Sequence, residues 1–259
     1  MMMALDVAAS SGANTTMRCS LGCATSASRF WSLALCATDG DTMTNTMNWN
    51  RAMRTDACLE RFGNNADSTD ARWKLNSFDS DGATLGVVDA PLVTTFVAPL
   101  LFIKGGVWEA GTFAKSVSGT GGAQTVTLAN GSLTPVGVLL GTTNQTAVGI
   151  SIDDATLCLG AGSTPSTTRG SAVNNCLGIA APEAINTTAD RFRATDAIIE
   201  ELTGGTSPAE TSEAWYRSAS AGAFELEWAN PNGTTANLIG YLVLGSEPPP
   251  PPQLTDGYF

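Results

Sequence analysis

Histidine is absent from the 259 residues, which removes the commonest general base and with it the Ser–His and Cys–His nucleophile pairs. Carboxylates are the groups left for acid–base work. Glu225 and Glu227 stand two apart in Phe224-Glu225-Leu226-Glu227-Trp228, so on a strand they share a face, and Asp153 adjoins Asp154. A glycosidase pair needs carboxylates about 5–9 Å apart in a cleft, whereas this alternation puts both glutamates on the solvent side. Asp79-Ser80-Asp81-Gly82 and Asp39-Gly40-Asp41 resemble fragments of calcium loops. Neither continues to the further oxygen ligands and closing Glu that such a loop requires, so turn formation is the expected role. Gly119 to Gly122 leads into neither Lys-Ser/Thr nor a helix and is not a phosphate cradle. The cysteines Cys19, Cys23, Cys36, Cys58, Cys158 and Cys176 form no CxxC pair, and without histidine zinc would need four of these scattered thiolates. They read as small buried apolar side chains, with a Cys158–Cys176 bridge, mirrored by Cys19–Cys36, as the alternative. No catalytic residue, cofactor or metal is expected.

The elements that carry these residues are strands. Period-two alternation runs through Gln124-Thr125-Val126-Thr127-Leu128, Val136 to Leu140, Trp73 to Asn76 and Phe224 to Trp228, which is the signature of half-buried β-structure. Leu100 to Ile103 and Leu238 to Val243 are continuous apolar runs and predict buried central strands. Turn residues punctuate the chain, as in Gly63-Asn64-Asn65, Asp79 to Gly82 and Asn230-Pro231-Asn232-Gly233. From Glu247 the character changes. Pro248 to Pro252 are five consecutive prolines, which require extended polyproline II and cannot enter a sheet interior.

Two halves of the chain are related. Thr55-Asp56-Ala57-Cys58-Leu59-Glu60 is matched 140 positions later by Thr195-Asp196-Ala197-Ile198-Ile199-Glu200. The same offset aligns Arg29 with Arg169, Cys36 with Cys176 and Arg51 with Arg191. A period this long indicates a repeated domain rather than a solenoid. The expected fold is all-β: two tandem related β-sandwiches, jelly-roll-like, spanning 1–105 and 106–245, with a proline-rich tail over 246–259. Charge is scarce, so the charged residues kept in both halves (Arg29, Arg51, Asp56 and Glu60; Arg169, Arg191, Asp196 and Glu200) are expected to form structural ion pairs within a half or between subunits. With residue 1 aligned to Gly141, the strands of 108–140 have no counterpart in the first half. An edge left open in this way is a site for pairing with another chain; a start upstream of Met1 is the alternative.

Composition narrows the partners. Charged residues make up 14% of the chain, below the roughly 25% of an ordinary soluble domain, and the net charge is −11 with only 13 Lys and Arg. Phosphate backbones and anionic membranes need clustered cations, so neither nucleic acid nor membrane is an expected partner. No apolar stretch approaches the roughly 20 residues of a membrane span, and Met1 to Asp6 carries no basic n-region or apolar h-region. A protein made in the cytoplasm is expected.

Residues 108–245 resemble a β-rich domain of tailed-bacteriophage virion proteins. The resemblance is carried by Gly111-Thr112-Phe113, Gln124-Thr125-Val126, Pro135 to Gly141, Thr168-Arg169, Gly222 to Trp228 and Tyr241 to Gly245. The chain departs from that pattern at Leu133-Thr134-Pro135-Val136, where Phe-x-Pro-Lys is common. The resemblance implies a non-enzymatic structural role in the virion, on the tail or the capsid surface, and supplies no catalytic residues. Copies of the chain and other virion proteins are the implied partners, and the tail residues Pro248, Pro250, Pro252, Tyr258 and Phe259 are candidate contacts. The alternative is a carbohydrate- or receptor-binding adhesion module that meets a host-surface glycan through tryptophans.

Overall fold

The computed structural model describes residues 2–7, 16–39, 47–62, 69–90, 98–151, 155–181, 190–202, 209–229 and 232–246. The described residues form strands and no helix, as the alternation requires. The proline-rich tail, with Pro248, Pro250, Pro252, Tyr258 and Phe259, lies outside them, as do Asp153 and Asp154.

The described residues form four antiparallel sheets. In the first half, β1 (Met2–Val7), β2 (Thr16–Ser26), β3 (Arg29–Asp39) and β4 (Met47–Arg54) form a meander, and β8 (Leu100–Phe102) returns to the far side of β1. Over this sheet lie β5 (Leu59–Phe62), β6 (Thr69–Phe78) and β7 (Ala83–Asp89). The second half uses the same order. The strands β11 (Thr134–Thr142), β13 (Ala155–Thr164), β14 (Val173–Ala181) and β15 (Asp190–Ala194) form the meander, and β19 (Leu238–Ser246) returns beside β11. Over them lie β16 (Ile199–Leu202), β17 (Glu210–Ser220) and β18 (Ala223–Trp228). Consecutive strands thus stay mostly within one sheet rather than alternating between sheets.

Two strands in the sheets of the second half have no counterpart among the described residues of the first: β9 (Val107–Ala114) extends its sheet beyond β19, and β10 (Gly122–Thr127) extends the other beyond β18. This corrects the alignment of residue 1 with Gly141. Ala4 faces Gly22 on β2 as Leu140 faces Gly160 on β13, so β1 stands where β11 stands. Among the described residues the first half lacks the two strands β9 and β10, not the whole of 108–140.

The matched Thr-Asp-Ala blocks show why part of the sequence recurs. A Cβ on Gly22 would fall 1.9 Å from Cys58 O, and one on Gly160 would fall 1.6 Å from Ile198 O. In both halves the block crosses from one sheet to the other directly against a glycine of the meander, and no side chain fits there.

The core is layered. Tyr216, Phe224, Leu226, Trp228, Ile239 and Val243 fill the second sandwich, while Ala24, Cys58 and Leu75 form a smaller cluster in the first. A third cluster, with Cys23, Trp31, Leu33, Met53, Ala110 and Leu242, lies between the two six-stranded sheets. The sandwiches therefore stack with their larger sheets face to face. Trp31 is the anchor of this seam: fully buried, it donates its indole N–H to Tyr241 O at 2.7 Å. It lies flat against Gly240, where an added Cβ would come within 2.5 Å of the ring. The seam is also stitched along its side, because β12 (Gly149–Ser151), from the second half of the sequence, pairs with β4 of the first.

Candidate interaction surface

Among the described residues no strand of the first sandwich matches β9 or β10, which leaves β7 and β8 without a neighbour on one side, at one end of that sandwich. Among the described residues β7 and β8 are the terminal strands of their sheets on that side. The ladders make the two ends directly comparable. Val87 faces Trp73 where Trp228 faces Ala214, and Leu59 and Ile199 align those partners. Leu100 and Phe102 face Ala4 and Met2 as Tyr241 and Val243 face Leu140 and Val138. Trp228 is 2% exposed and Val87 59%; Val243 is 0% exposed and Phe102 44%. Leu100 to Phe102 therefore form an exposed edge, not the buried central strand their apolar run predicts. The run in β19 is central and buried, as expected.

Around this end the apolar side chains of Phe78, Val87, Val88, Leu100, Leu101 and Phe102 reach solvent. Phe78, Phe102 and Trp108 also border a cleft of about 570 Å³ between the Asp79–Gly82 turn and the Lys104–Gly106 link. The turn is held by Asp79, whose carboxylate accepts from Ser77 Oγ at 2.9 Å and Thr84 Oγ1 at 2.8 Å. Trp108 is fixed by its N–H donating to Gly105 O at 2.7 Å.

The matching space in the second sandwich is full. Phe113 of β9 packs edge-on against Phe224 at 6.2 Å between ring centroids, and Phe224 meets Tyr241 at 5.8 Å. Glu109 of β9 is buried and clamps the link from β10 to β11, accepting from Ala129 N at 2.7 Å and Asn130 N at 2.8 Å. It also accepts from Tyr241 Oη at 2.9 Å; burial, and then this carboxylate, push the Tyr241 phenol upward. Beyond Phe113, Lys115, Glu201, Ser212 and Asn237 form a buried polar cluster (Glu201–Lys115 Nζ 2.7 Å).

The charged residues shared by the halves are dispersed. Arg169 is bound by Asp196, at 2.9 Å, and by Glu213. Asp56 and Glu60 are paired, but with Arg72 at 2.6 Å and Arg54 at 3.0 Å. Arg29 and Arg51 reach across the seam, to Glu109 at 3.9 Å and to Thr156 Oγ1 at 2.7 Å. The Arg191 side chain lies outside the described residues. Glu200 faces Glu213 across its ladder, and its pKa is raised to about 7, first by burial and then by Glu210 and Glu213.

The remaining candidates have structural partners. Glu225 accepts from Ser218 Oγ at 2.7 Å, which with Thr125 and Arg217 lowers its pKa, while Glu227 pairs with Arg217 at 2.8 Å. All six cysteines are thiols rather than disulfides, and burial raises Cys23, Cys58 and Cys158 above the ordinary thiol range. Among the described residues no group of three or more Cys, Asp and Glu side chains is placed to hold a metal ion.

Sequence reasoning missed the two features that distinguish the ends. Phe78, Val87 and Leu101 look like ordinary core residues, and only the register shows them uncovered. Lys115, Glu201 and Asn237 are far apart in sequence, and no local motif joins them. Comparison with protein-family models, with characterised proteins and with solved structures yields no match.

Proposed function

We propose that the protein is a non-enzymatic structural component that assembles through subunit contacts, the open end of the first sandwich being completed by a neighbouring copy. One observation carries this reading: positions buried by β9 and β10 in the second sandwich are apolar and uncovered at two strand edges in the first. An exposed apolar edge is a template for strand addition, in which main-chain hydrogen bonds supply affinity and alternate side chains supply fit. The resemblance of residues 108–245 to tailed-phage virion domains gives the setting, a tail-associated or capsid-surface component with other virion proteins as neighbours. Sedimentation velocity over a wide concentration range tests this. The full chain is expected to associate, and Leu101→Lys is expected to abolish association without unfolding the chain.

A second reading is favoured by the cleft itself. Phe78, Phe102 and Trp108 beside Asp79 and Asp81 combine aromatic faces with carboxylates, the chemistry that holds a sugar ring in an adhesion module. Glycan-array binding that is lost in Trp108→Ala, by a chain that stays monomeric, would select this reading over the first.

A further inference from the structure

The polar cluster of the second sandwich has a geometry suited to a covalent step. Lys115 follows β9 and Asn237 precedes β19. They face each other one step beyond the end of that ladder, with Lys115 N donating to Asn237 O at 2.8 Å. Residues opposed in an antiparallel pair hold their Cβ atoms about 4.5–5.5 Å apart. Glu201 of β16, on the facing sheet, bridges the two side chains. Its Oε2 accepts from Lys115 Nζ at 2.7 Å and its Oε1 accepts from Asn237 Nδ2 at 3.0 Å. Lys115 Nζ donates also to Ser212 Oγ at 2.6 Å and stands 5.6 Å from the centre of the Trp228 ring. The Lys115 and Glu201 side chains are each 1% exposed.

As stabilising groups these residues are a poor choice. A buried ion pair returns little net stability, and Asn237 Oδ1 is buried with no hydrogen-bond partner among the described residues, which is unfavourable. As reactants they are well placed: an amine, a carboxamide and a carboxyl group that touches both, all shielded from water. We propose that Lys115 and Asn237 are joined by an intramolecular isopeptide bond, with Glu201 as the catalytic acid and base.

The step needs no co-reactant. Lys115 gives one proton to Glu201, leaving a neutral amine beside a carboxylic acid. A half-turn of the Asn237 carboxamide brings Oδ1 to Glu201 in place of Nδ2. The Nζ lone pair attacks Cγ while the carbonyl electrons move to Oδ1, which takes the proton from Glu201. Glu201 then removes a proton from Nζ and passes it to Nδ2. The Cγ–Nδ2 bond breaks, the carbonyl re-forms as the Oδ1 proton returns to Glu201, and ammonia leaves. One Nζ–Cγ amide replaces one Cγ–Nδ2 amide, and nothing is oxidised or reduced. Fixed proximity and a positioned acid–base are the two contributions this reaction needs. The bond ties the first strand of the second sandwich, β9, to its last, β19. Among the described residues the first sandwich has no such cluster, since Arg61 occupies the position of Glu201 and no described strand matches β9.

Tandem mass spectrometry of the purified, denatured and trypsin-digested full chain tests the proposal. A branched peptide joining Lys115 to Asn237 is expected, with no cleavage after Lys115 and an intact mass lower by one ammonia. Lys115→Arg keeps the cation and Asn237→Ala removes the acceptor, and neither is expected to form the branch. Glu201→Gln keeps the shape and is expected to slow linkage by about a hundredfold or more. Two results overturn the proposal. One is a folded wild-type chain cut normally after Lys115, with Asn237 unmodified. The other is an ammonia loss that maps to Asn130-Gly131 or Asn232-Gly233, where succinimide formation removes the same mass.

Discussion

Trp228 and Val87 occupy the same place in two sandwiches of matching strand order, yet one is buried in the core and the other faces solvent. The same contrast separates Val243 from Phe102. Apolar side chains that are covered in one half and uncovered in the other point to a missing strand rather than to a different fold. Contiguous exposed apolar patches mark interaction surfaces, and open strand edges are templates for pairing with another chain. The second sandwich is self-sufficient because β9 and β10 close it, and it carries the Lys115 cluster at that closure. Among its described residues the first sandwich has the meander, the crossing and the return strand, but not the closing pair.

Breaking the closed half has the largest expected effect. Lys115→Met removes the partner against which the buried Glu201 carboxyl group is held and is expected to cost about 3–5 kcal/mol in chemical denaturation. A pair of substitutions at one matched position comes next. Trp228→Val, which copies the first half into the second, is expected to destabilise by about 2–4 kcal/mol through the cavity it leaves. Val87→Ala at the equivalent exposed site is expected to change stability by less than about 0.5 kcal/mol. Equal effects at the two sites would remove the contrast. Leu101→Lys tests what the open edge is for: melting of the monomer is expected to shift little, while association measured by native mass spectrometry is lost.

A small effect is also expected on pH dependence. Glu200 is raised to about 7 in the folded chain from an ordinary 4.5, so the native state holds a proton that the unfolded state releases. Its contribution is complete below about pH 4.5 and is lost as pH rises through about 7. Glu200→Gln is expected to flatten the fall in stability between about pH 5 and pH 8. Because the group is partly exposed, the change should stay under about 1 kcal/mol. Urea denaturation of both chains at the two pH values measures it.

Much of the fold was legible in the sequence because strand faces follow a local rule. Phe224, Leu226 and Trp228 alternate with Glu225 and Glu227, and the structure buries the first set. The Thr-Asp-Ala blocks were legible because a crossing pressed against Gly22 or Gly160 constrains its own residues. Leu100 to Phe102 misled because an apolar run reports what a strand is built to face, not whether the facing strand is present. The shift that places β1 opposite β2 was hidden because the 140-residue offset holds in the crossings and drifts in the meanders. The Lys115 site was invisible for another reason: its members lie on or beside separate strands that only the closed sandwich brings together.

Hydrogen–deuterium exchange of the full chain across a wide concentration range tests the central claim most directly. The amides of β7 and β8 are expected to exchange more slowly as concentration rises, with no such change in Leu101→Lys. Exchange at those strands that is unchanged at every concentration, from a chain that remains a monodisperse monomer, would contradict the account.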